Sequence, residues 1–276
     1  WVIPAKWTDP LTKTEYDVRL GENGYYRDAT TNEKVYIGGR RYPILASGVT
    51  ISYGVGFPDD CTSLLTTGHS NAEMMCITSI KIEGGANGEK VGSNITNMNS
   101  MFYGNEFGNM GNNVPVTKLI SLDVSHFDTS KVTDMAYMFG AAGVWTDFRY
   151  KPHAYAQGVY TSLDLSSFNF GKVDSMAGMF LNQKNLASIK FPGDMDTSHV
   201  RDMSELFMSC SSLTLEGAEN LDKLDTSSVV DMFGMFGCFH WMNWGAGDKR
   251  VLEDEYTGYY DRDVNRDSYH SHSGGL

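Results

Sequence analysis

One pattern of apolar and polar positions recurs through much of the chain. An aliphatic residue is followed by two usually polar residues, then Met, two further residues, Met or Leu, and Phe. The copies are "ITNMNSMF" (95–102), "VTDMAYMF" (132–139), "VDSMAGMF" (173–180), "VRDMSELF" (200–207) and "VVDMFGMF" (229–236). Because the apolar residues fall at the first, fourth, seventh and eighth positions, each copy predicts one apolar face of a short helix.

A second element precedes the first. Alternating apolar residues predict a short strand in "SLDVSHFDTS" (121–130), "SLDLSSFNFG" (162–171) and "SIKFPGDMDTS" (188–198), with shorter relatives in "SIKIEGG" (79–85) and "LDKLDTSS" (221–228). Turn residues follow each strand, and Ser130, Ser198 and Ser227 are placed to cap the next helix. Each unit is therefore interpreted as strand, turn, capped helix and return loop.

Such a unit cannot bury its apolar face alone, but stacked units can. The repeats therefore predict a right-handed α/β solenoid over 78–238. A cofactor-binding role for the Met residues is disfavoured, since the same residues return at repeat spacing. The residues expected in interior columns are Val132, Met135, Phe139, Val173, Met176, Phe180, Val200, Met203, Phe207, Val229, Met232 and Phe236.

The stretches "LDVSHFDTSKVTDMAYMF" and "LDLSSFNFGKVDSMAGMF" resemble the BspA-like leucine-rich repeats of bacterial surface proteins. The resemblance covers about 78–238. It implies a leucine-rich-repeat-like stack of short strand plus short helix units, located outside the cell on a bacterial surface or secreted. It also implies that Cys210 and Cys238, close to the family's cysteine position, are buried and unpaired.

Three regions depart from the repeat. Residues 1–77 contain strand-like runs and predict a β-rich N-terminal cap. Two return loops are lengthened by insertions near 103–116 and 141–160. Residues 239–276 are expected to form a C-terminal cap, through Phe239, Trp241 and Trp244, followed by an acidic tail.

The insertion at 141–160 is the candidate binding loop. It concentrates aromatic and basic residues, which are typical of protein interfaces and can also stack on sugars. The alternative is that the loop folds back and buries its aromatic residues on the flank of the repeats. The candidate ligand-binding residues are Trp145, Phe148, Arg149, Tyr150 and Tyr155.

The acidic tail contains a partial calcium motif. Asp261, Asp263, Asn265 and Asp267 copy the first oxygen positions of a Ca²⁺ loop. However, Arg266 stands where that loop needs Gly, and His272 where it needs Glu. The alternative is a solvated acidic extension, and no cofactor other than this Ca²⁺ is expected.

Composition limits the partners. The net charge of −12 disfavours nucleic acid, because the field of the protein would repel a polyanion. No apolar run approaches the roughly 20 residues of a membrane-spanning helix. The chain starts at Trp1, so we expect a processed or excised piece of a longer protein. Cys61 and Cys76 could form a disulfide or remain two free thiols.

No enzyme motif stands out, and the Asp residues of the repeats are explained by turns and helix ends. The sequence therefore favours a non-enzymatic adhesion module that binds a host or microbial protein or glycan. A structural component that self-associates through its solenoid ends into a fibre or surface layer is the alternative. A carbohydrate-binding accessory module is the third hypothesis.

Overall fold

The computed structural model describes residues 2–9, 11–20, 48–62, 64–65, 78–103, 119–141 and 160–237, and the backbone alone of 26–28, 34–35, 251–254 and 258–261. The strands are β1 (Val2–Ile3), β2 (Lys6–Thr8), β3 (Glu15–Leu20), β4 (Tyr26–Asp28), β5 (Lys34–Val35), β6 (Gly48–Ile51), β7 (Ser79–Ile82), β8 (Ser121–Asp123), β9 (Ser162–Asp164), β10 (Ser188–Lys190), β11 (Ala218–Glu219), β12 (Val251–Asp254) and β13 (Gly258–Asp261).

Short parallel strands join neighbouring repeats. One sheet has the order β1-β6-β7-β8 and another the order β11-β10-β9. In the first sheet Ile80 lies opposite Val49 on one side and Leu122 on the other. In the second, Ile189 lies opposite Leu163 and Ala218. Equivalent strand positions of successive repeats are thus in register.

A second set of parallel contacts runs along the Met/Phe motif. Successive repeats form single parallel bridges through Asp60, Asn97, Asp134, Ser175, Asp202 and Asp231, and we call this series the backbone ladder. The amide after each ladder residue donates to the next ladder carbonyl, as from Met135 to Ser175 at 3.0 Å and from Met176 to Asp202 at 2.9 Å. Each motif between the two ends of the series is therefore bonded to the motif before it and the motif after it.

The prediction of a short helix in each motif is wrong, because the described motifs form turns. The amides of Met135, Tyr137 and Phe139 donate to carbonyls of the next repeat, so they are not available for bonds four residues back. The Met138 amide instead closes a tight turn on the Met135 carbonyl at 3.2 Å. The one helical element in the described part of the chain is the 3₁₀ turn Leu221–Lys223.

The serines predicted as helix caps lie in turns and not at helix ends. The amides of Ser130, Ser198 and Ser227 donate to the carboxylate two residues earlier, at 3.0, 3.0 and 2.8 Å. This is an Asx turn, in which an Asp side chain replaces a backbone carbonyl. The Asp residue, rather than the serine, is therefore the capping group.

A column of phenylalanines runs through the repeats. Phe102, Phe139, Phe180, Phe207 and Phe236 stack in sequence, with ring centroids 5.9, 5.9, 5.3 and 5.5 Å apart and planes within 11° of parallel. The expected column residues of the copies at 132–139, 173–180 and 200–207 are at most 4% exposed. In the last copy Met232 and Phe236 are 46% and 45% exposed, so the expectation of burial is wrong there. No described repeat covers their outer side.

The ladder begins earlier than the predicted boundary after residue 77. Its first residue, Asp60, belongs to "PDDCTSLL" (58–65), where Cys61 takes the place of Met and Leu65 that of Phe. The amides of Cys61 and Leu65 donate to Asn97 and Met101 carbonyls at 2.8 and 3.0 Å. Because β6 also pairs with β7, residues 48–62 and 64–65 belong to a first repeat that the sequence pattern missed.

Four of the N-terminal strands form a further sheet, separate from the two described above. β2, β3, β4 and β5 pair in that order as an antiparallel sheet. Ile3, Val18 and Leu20 are buried in the same core as the repeats, and Arg19 forms a parallel bridge with Gly56. Strand β1 covers the free edge of β6, which would otherwise expose unpaired backbone groups.

Two buried threonines link neighbouring repeats. Thr197 Oγ1 donates to the Asp225 carbonyl at 2.9 Å and accepts from the Asp225 amide at 2.8 Å. Thr129 makes the same pair of bonds with Asn169, at 3.1 and 2.7 Å. One hydroxyl thus satisfies both backbone groups of a residue in the next repeat.

We expect Thr197→Val to lower the free energy of unfolding by about 1–3 kcal/mol, because the side chain keeps its shape while two backbone groups lose their partner. Thr226 is the matched control, since it holds the same place in the last repeat and is exposed. Thr226→Val should have little effect in the same urea denaturation series. Equal losses from both variants would contradict a link between repeats.

Candidate binding surface

The predicted binding loop lies outside the described residues. This applies to Trp145, Phe148, Arg149, Tyr150 and Tyr155. Both ends of the insertion are described and belong to the core. Ala141 is fully buried and its amide donates to Leu181, while Tyr160 is 3% exposed and packs edge-on against Phe139 at 6.5 Å. The binding role of the loop remains a prediction.

The predicted calcium site also lies outside the described residues. Asp261 is the last residue of β13, of which only the backbone is described, and Asp263, Asn265 and Asp267 fall beyond it. Within the described ranges, no group of three or more His, Cys, Asp or Glu side chains is arranged to hold a metal ion. The Ca²⁺ role likewise remains a prediction.

The described residues form a different candidate surface around the backbone ladder. We call it the ladder face. Its first position, just before each ladder residue, is exposed in every copy and is occupied by Asp59, Thr96, Thr133, Asp174, Arg201 and Val230. Its second position is the ladder residue itself. Its third position lies two residues after the motif Met and is occupied by Ser100, Tyr137, Gly178, Glu205 and Gly234.

The side chains of the ladder residues accept hydrogen bonds that close local turns. Asp134, Asp202 and Asp231 each accept from the amide two residues later, at 2.8, 2.9 and 2.9 Å. Asn97 does the same at 2.8 Å. These bonds confirm the predicted turn role for Asp134, Asp202 and Asp231. They also hold the carboxylates at regular intervals along one face.

Negative charge dominates this face. Its three defined positions contain one base, Arg201, against the acids Asp59, Asp60, Asp134, Asp174, Asp202, Glu205 and Asp231. Burial raises the pKa of Glu205, and the charges of Asp202 and Asp231 raise it further. The face therefore has a negative potential that favours cationic groups.

Two tyrosines lie beside these acids. Tyr103 and Tyr137 are half-buried, with ring centroids 6.2 Å apart and planes at 84°. Burial raises the pKa of Tyr103 to about 12. The pKa of Tyr137 is also raised, first by burial and then by the charge of Glu205. Sequence reasoning missed both tyrosines, because Tyr137 occupies a variable position of the motif and Tyr103 begins the first insertion.

The described cysteines are free thiols. Cys61 is fully buried and Cys210 is half-buried, and neither forms a disulfide. The Cys210 thiol donates to the Phe180 carbonyl at 3.0 Å and the Cys61 thiol to the Pro58 carbonyl at 3.3 Å. Cys76 and Cys238 lie outside the described residues. Of the two alternatives for Cys61, the structure favours the free thiol.

Both thiols should resist alkylation in the folded protein. Burial raises the pKa of Cys61 and of Cys210 to about 12, so almost no reactive thiolate forms near neutral pH. We expect iodoacetamide at pH 8 to label them at least ~100-fold more slowly than in urea, as followed by peptide mass spectrometry. Fast labelling of the folded chain would contradict their burial.

The same shift predicts a loss of stability in alkali. Between the ordinary thiol pKa of 9.0 and the folded value of about 12, the unfolded chain loses protons that the folded chain keeps. The free energy of unfolding should therefore fall as pH rises through this window. Urea denaturation of the wild type and of Cys210→Ser at several pH values would measure the contribution, and identical pH slopes would contradict it.

One family model matches the part of the chain that contains the repeats. A family model described as "Mycoplasma protein of unknown function, DUF285" matches residues 86–186 and, in a second match, residues 152–246. Together the two matches cover more than half of the chain and contain all five motif copies found in the sequence. No curated protein and no solved structure gave a match. Among the described residues, no helix has the length and apolar character needed to cross a membrane.

Proposed function

Because the chain belongs to the family described as Mycoplasma protein of unknown function, DUF285, we propose its function from its repeats. It is a non-enzymatic interaction module, related to the BspA-like leucine-rich repeats and exposed on a bacterial surface or secreted. Its repeats form a solenoid of strand-and-turn units. Its ligand is a protein or glycan on a host or microbial surface.

The supporting observation is the division between interior and outer positions. Met135, Met176 and Met203 are fully buried between neighbouring repeats. The equivalent position is Met in all five copies of the motif. The exposed position two residues before each of them is instead Thr133, Asp174 or Arg201. A scaffold with a constant interior and varied outer side chains is how repeat proteins build extended binding surfaces.

Charge supports the choice of partner. The chain carries a net charge of −12, and the ladder face is acidic. Such a field raises the association rate of basic partners and repels polyanions. A basic or neutral protein, or a neutral glycan, therefore fits better than nucleic acid.

A binding array of matrix proteins and neutral glycans, probed with the full chain, tests this function. We expect saturable binding to at least one target. The double variant Trp145→Ala, Tyr150→Ala should then weaken binding at least ~10-fold with a nearly unchanged melting temperature, because rigid interface aromatics contribute most of an affinity. Tyr53→Ala is the control, since Tyr53 is an exposed tyrosine outside the insertion.

Two results would count against this account. Absence of binding to every protein and glycan on the array would contradict the proposed function. A large loss of stability in the double variant, with unchanged affinity per folded molecule, would show that the loop packs on the repeats. The second result would move the binding surface elsewhere without removing the function.

A specific observation favours self-assembly as a second candidate. In the repeat at 200–207 the amides of Met203, Glu205 and Phe207 donate to the last repeat at 2.9, 2.7 and 2.8 Å. The equivalent amides of Met232, Gly234 and Phe236 have no acceptor within the described residues. Val230, Met232, Phe233 and Phe236 are 73%, 46%, 46% and 45% exposed.

Unpaired amides at the end of a strand ladder accept another strand, and the second candidate proposes that chains join through this end. Light scattering over a range of concentrations separates the candidates. A mass that grows with concentration in the wild type, and not in Phe233→Lys, would favour a fibre or surface-layer component. The interaction module predicts a constant mass for both.

A further inference from the structure

The third position of the ladder face has an unusual backbone conformation. Its φ is positive in each of the five copies from 95–102 to 229–236, between 54° and 60°. Glycine adopts this conformation without steric cost, and it does so at Gly178 and Gly234. Tyr137 and Glu205 adopt it with large side chains, although the turn itself requires none.

The hydrogen bonds place these two residues on either side of Gly178. The Tyr137 amide donates to Ala177 at 2.7 Å and the Gly178 amide donates to Ser204 at 2.7 Å. Neighbouring parallel strands are about 4.8 Å apart, so the backbones of Tyr137 and Glu205 are roughly 10 Å apart. Gly178, which has no side chain, lies between them.

The tyrosine ring extends into this space. A Cβ atom added to Gly178 would collide with the ring of Tyr137, which therefore lies over the glycine. Tyr103 packs edge-on against Tyr137, with ring centroids 6.2 Å apart. Along the third position, the segment Tyr137, Gly178 and Glu205 thus has an aromatic ring at one end and a carboxylate-bearing residue at the other.

The chemistry of this segment suits a cation. A guanidinium or ammonium group over a tyrosine ring is attracted by the negative ring face. The Glu205 carboxylate can accept hydrogen bonds from the same group, and Asp202 on the neighbouring ladder position adds negative charge. Arginine fits best, because its planar head can stack on a ring and donate to a carboxylate at once.

We propose that Tyr137 and Glu205, with Tyr103 extending the aromatic surface, form a binding site for an arginine or lysine side chain of a protein partner. This inference rests on the proposed function and narrows its ligand to a protein with an exposed basic segment. A neutral glycan would stack on Tyr137, and its affinity would not depend on the charge of Glu205. Dependence on that charge therefore distinguishes the partner proposed here.

Fluorescence anisotropy with a fluorescein-labelled peptide of alternating arginine and glycine tests the site, with an alternating glutamate and glycine peptide as the probe control. We expect the full chain to bind the arginine peptide alone. Tyr137→Leu, which keeps an apolar cover over Gly178, and Glu205→Gln should each weaken binding at least ~5-fold, as expected when an exposed cation–π contact or charged hydrogen bond is lost. Melting curves confirm folding.

Two matched controls isolate the site from general electrostatics. Glu219→Gln makes the same change of charge at an exposed residue on strand β11, and Tyr53→Leu removes an exposed tyrosine elsewhere. Neither should change the affinity. Equal weakening by Glu219→Gln and Glu205→Gln would overturn the inference in favour of diffuse attraction, and an unchanged affinity in Tyr137→Leu would overturn the aromatic contribution.

The outcomes also separate this inference from the function on which it rests. If the arginine peptide fails to bind while the array yields a ligand, the site is wrong and the interaction module stands. If the peptide binds through Tyr137 and Glu205 and the array yields no protein or glycan, the site stands and the proposed function is contradicted.

Discussion

Phe180→Ala should lower the free energy of unfolding by about 3–5 kcal/mol, the usual cost of removing a buried aromatic ring. Phe180 is fully buried and stacks on Phe139 at 5.9 Å and on Phe207 at 5.3 Å. Phe191 also contacts it edge-on at 6.1 Å. The substitution therefore leaves a cavity between three repeats, which neighbouring turns cannot fill because their amides are fixed by the ladder.

Phe236→Ala is the matched control for this prediction. Phe236 ends the same column at 45% exposure and has a stacking partner, Phe207, on one side. We expect it to cost less than half as much as Phe180→Ala in urea denaturation. Similar costs at the two positions would mean that the column does not continue through the repeats as described.

Gly217→Ala should be the second strongly destabilising substitution, although it adds only a methyl group. Its Cβ would collide with the backbone carbonyl oxygen of Ala187, the residue directly before β10. The Gly217 carbonyl meanwhile accepts from the Ile189 amide at 2.8 Å, so the two segments cannot separate without losing a hydrogen bond between β10 and the segment that leads into β11. Overpacking of this kind costs about 1–3 kcal/mol or more.

Gly193→Ala provides the control, because nothing lies within 4 Å of a Cβ at that position. It should leave the free energy of unfolding unchanged or raise it by about 0.4–1 kcal/mol, through the lower entropy of the unfolded chain. Thermal and urea unfolding of the two variants side by side would measure the difference. A Gly217→Ala variant as stable as Gly193→Ala would contradict the close approach of the two repeats.

The interior columns could be predicted from sequence, whereas the helices predicted from the same pattern are wrong. Val132, Met135 and Phe139 have the spacing of a helical face, but the tight turn at 135–138 buries the same set. The spacing of apolar residues along the chain predicts which side chains are buried. It does not predict which carbonyls accept hydrogen bonds from their backbone amides. Those acceptors lie in the next repeat, some 40 residues away for Met135, and local pattern contains no information about them.

One local signal did oppose the helix. Glycine stands at the third ladder-face position in "MAGMF" and "MFGMF", and glycine inside a helical pattern is unfavourable by about 1 kcal/mol relative to alanine. The positive φ at Gly178 and Gly234 explains its presence. Tyr137 has the same positive φ, but tyrosine rarely adopts this conformation, so the sequence does not predict it there.

The first repeat escaped detection for a chemical reason. In "PDDCTSLL" proline replaces the aliphatic residue and Cys61 replaces Met, so the motif is lost although the small thiol fills the same buried place. The candidate site shows a similar limit. Aromatic density in the sequence selected Trp145 and its neighbours. Tyr137 and Glu205 are single residues in two repeats that lie on either side of the repeat containing Gly178, and local sequence does not show this placement.

The backbone ladder is the central claim, and scalar couplings across hydrogen bonds test it most directly. In a deuterated, ¹⁵N,¹³C-labelled sample, we expect the Tyr137 nitrogen to couple to the Ala177 carbonyl carbon and the Gly178 nitrogen to that of Ser204. A helix at this position would instead couple Tyr137 to the carbonyl of Thr133, four residues earlier. Detection of that local coupling, without the coupling to Ala177, would contradict the ladder and the surface built on it.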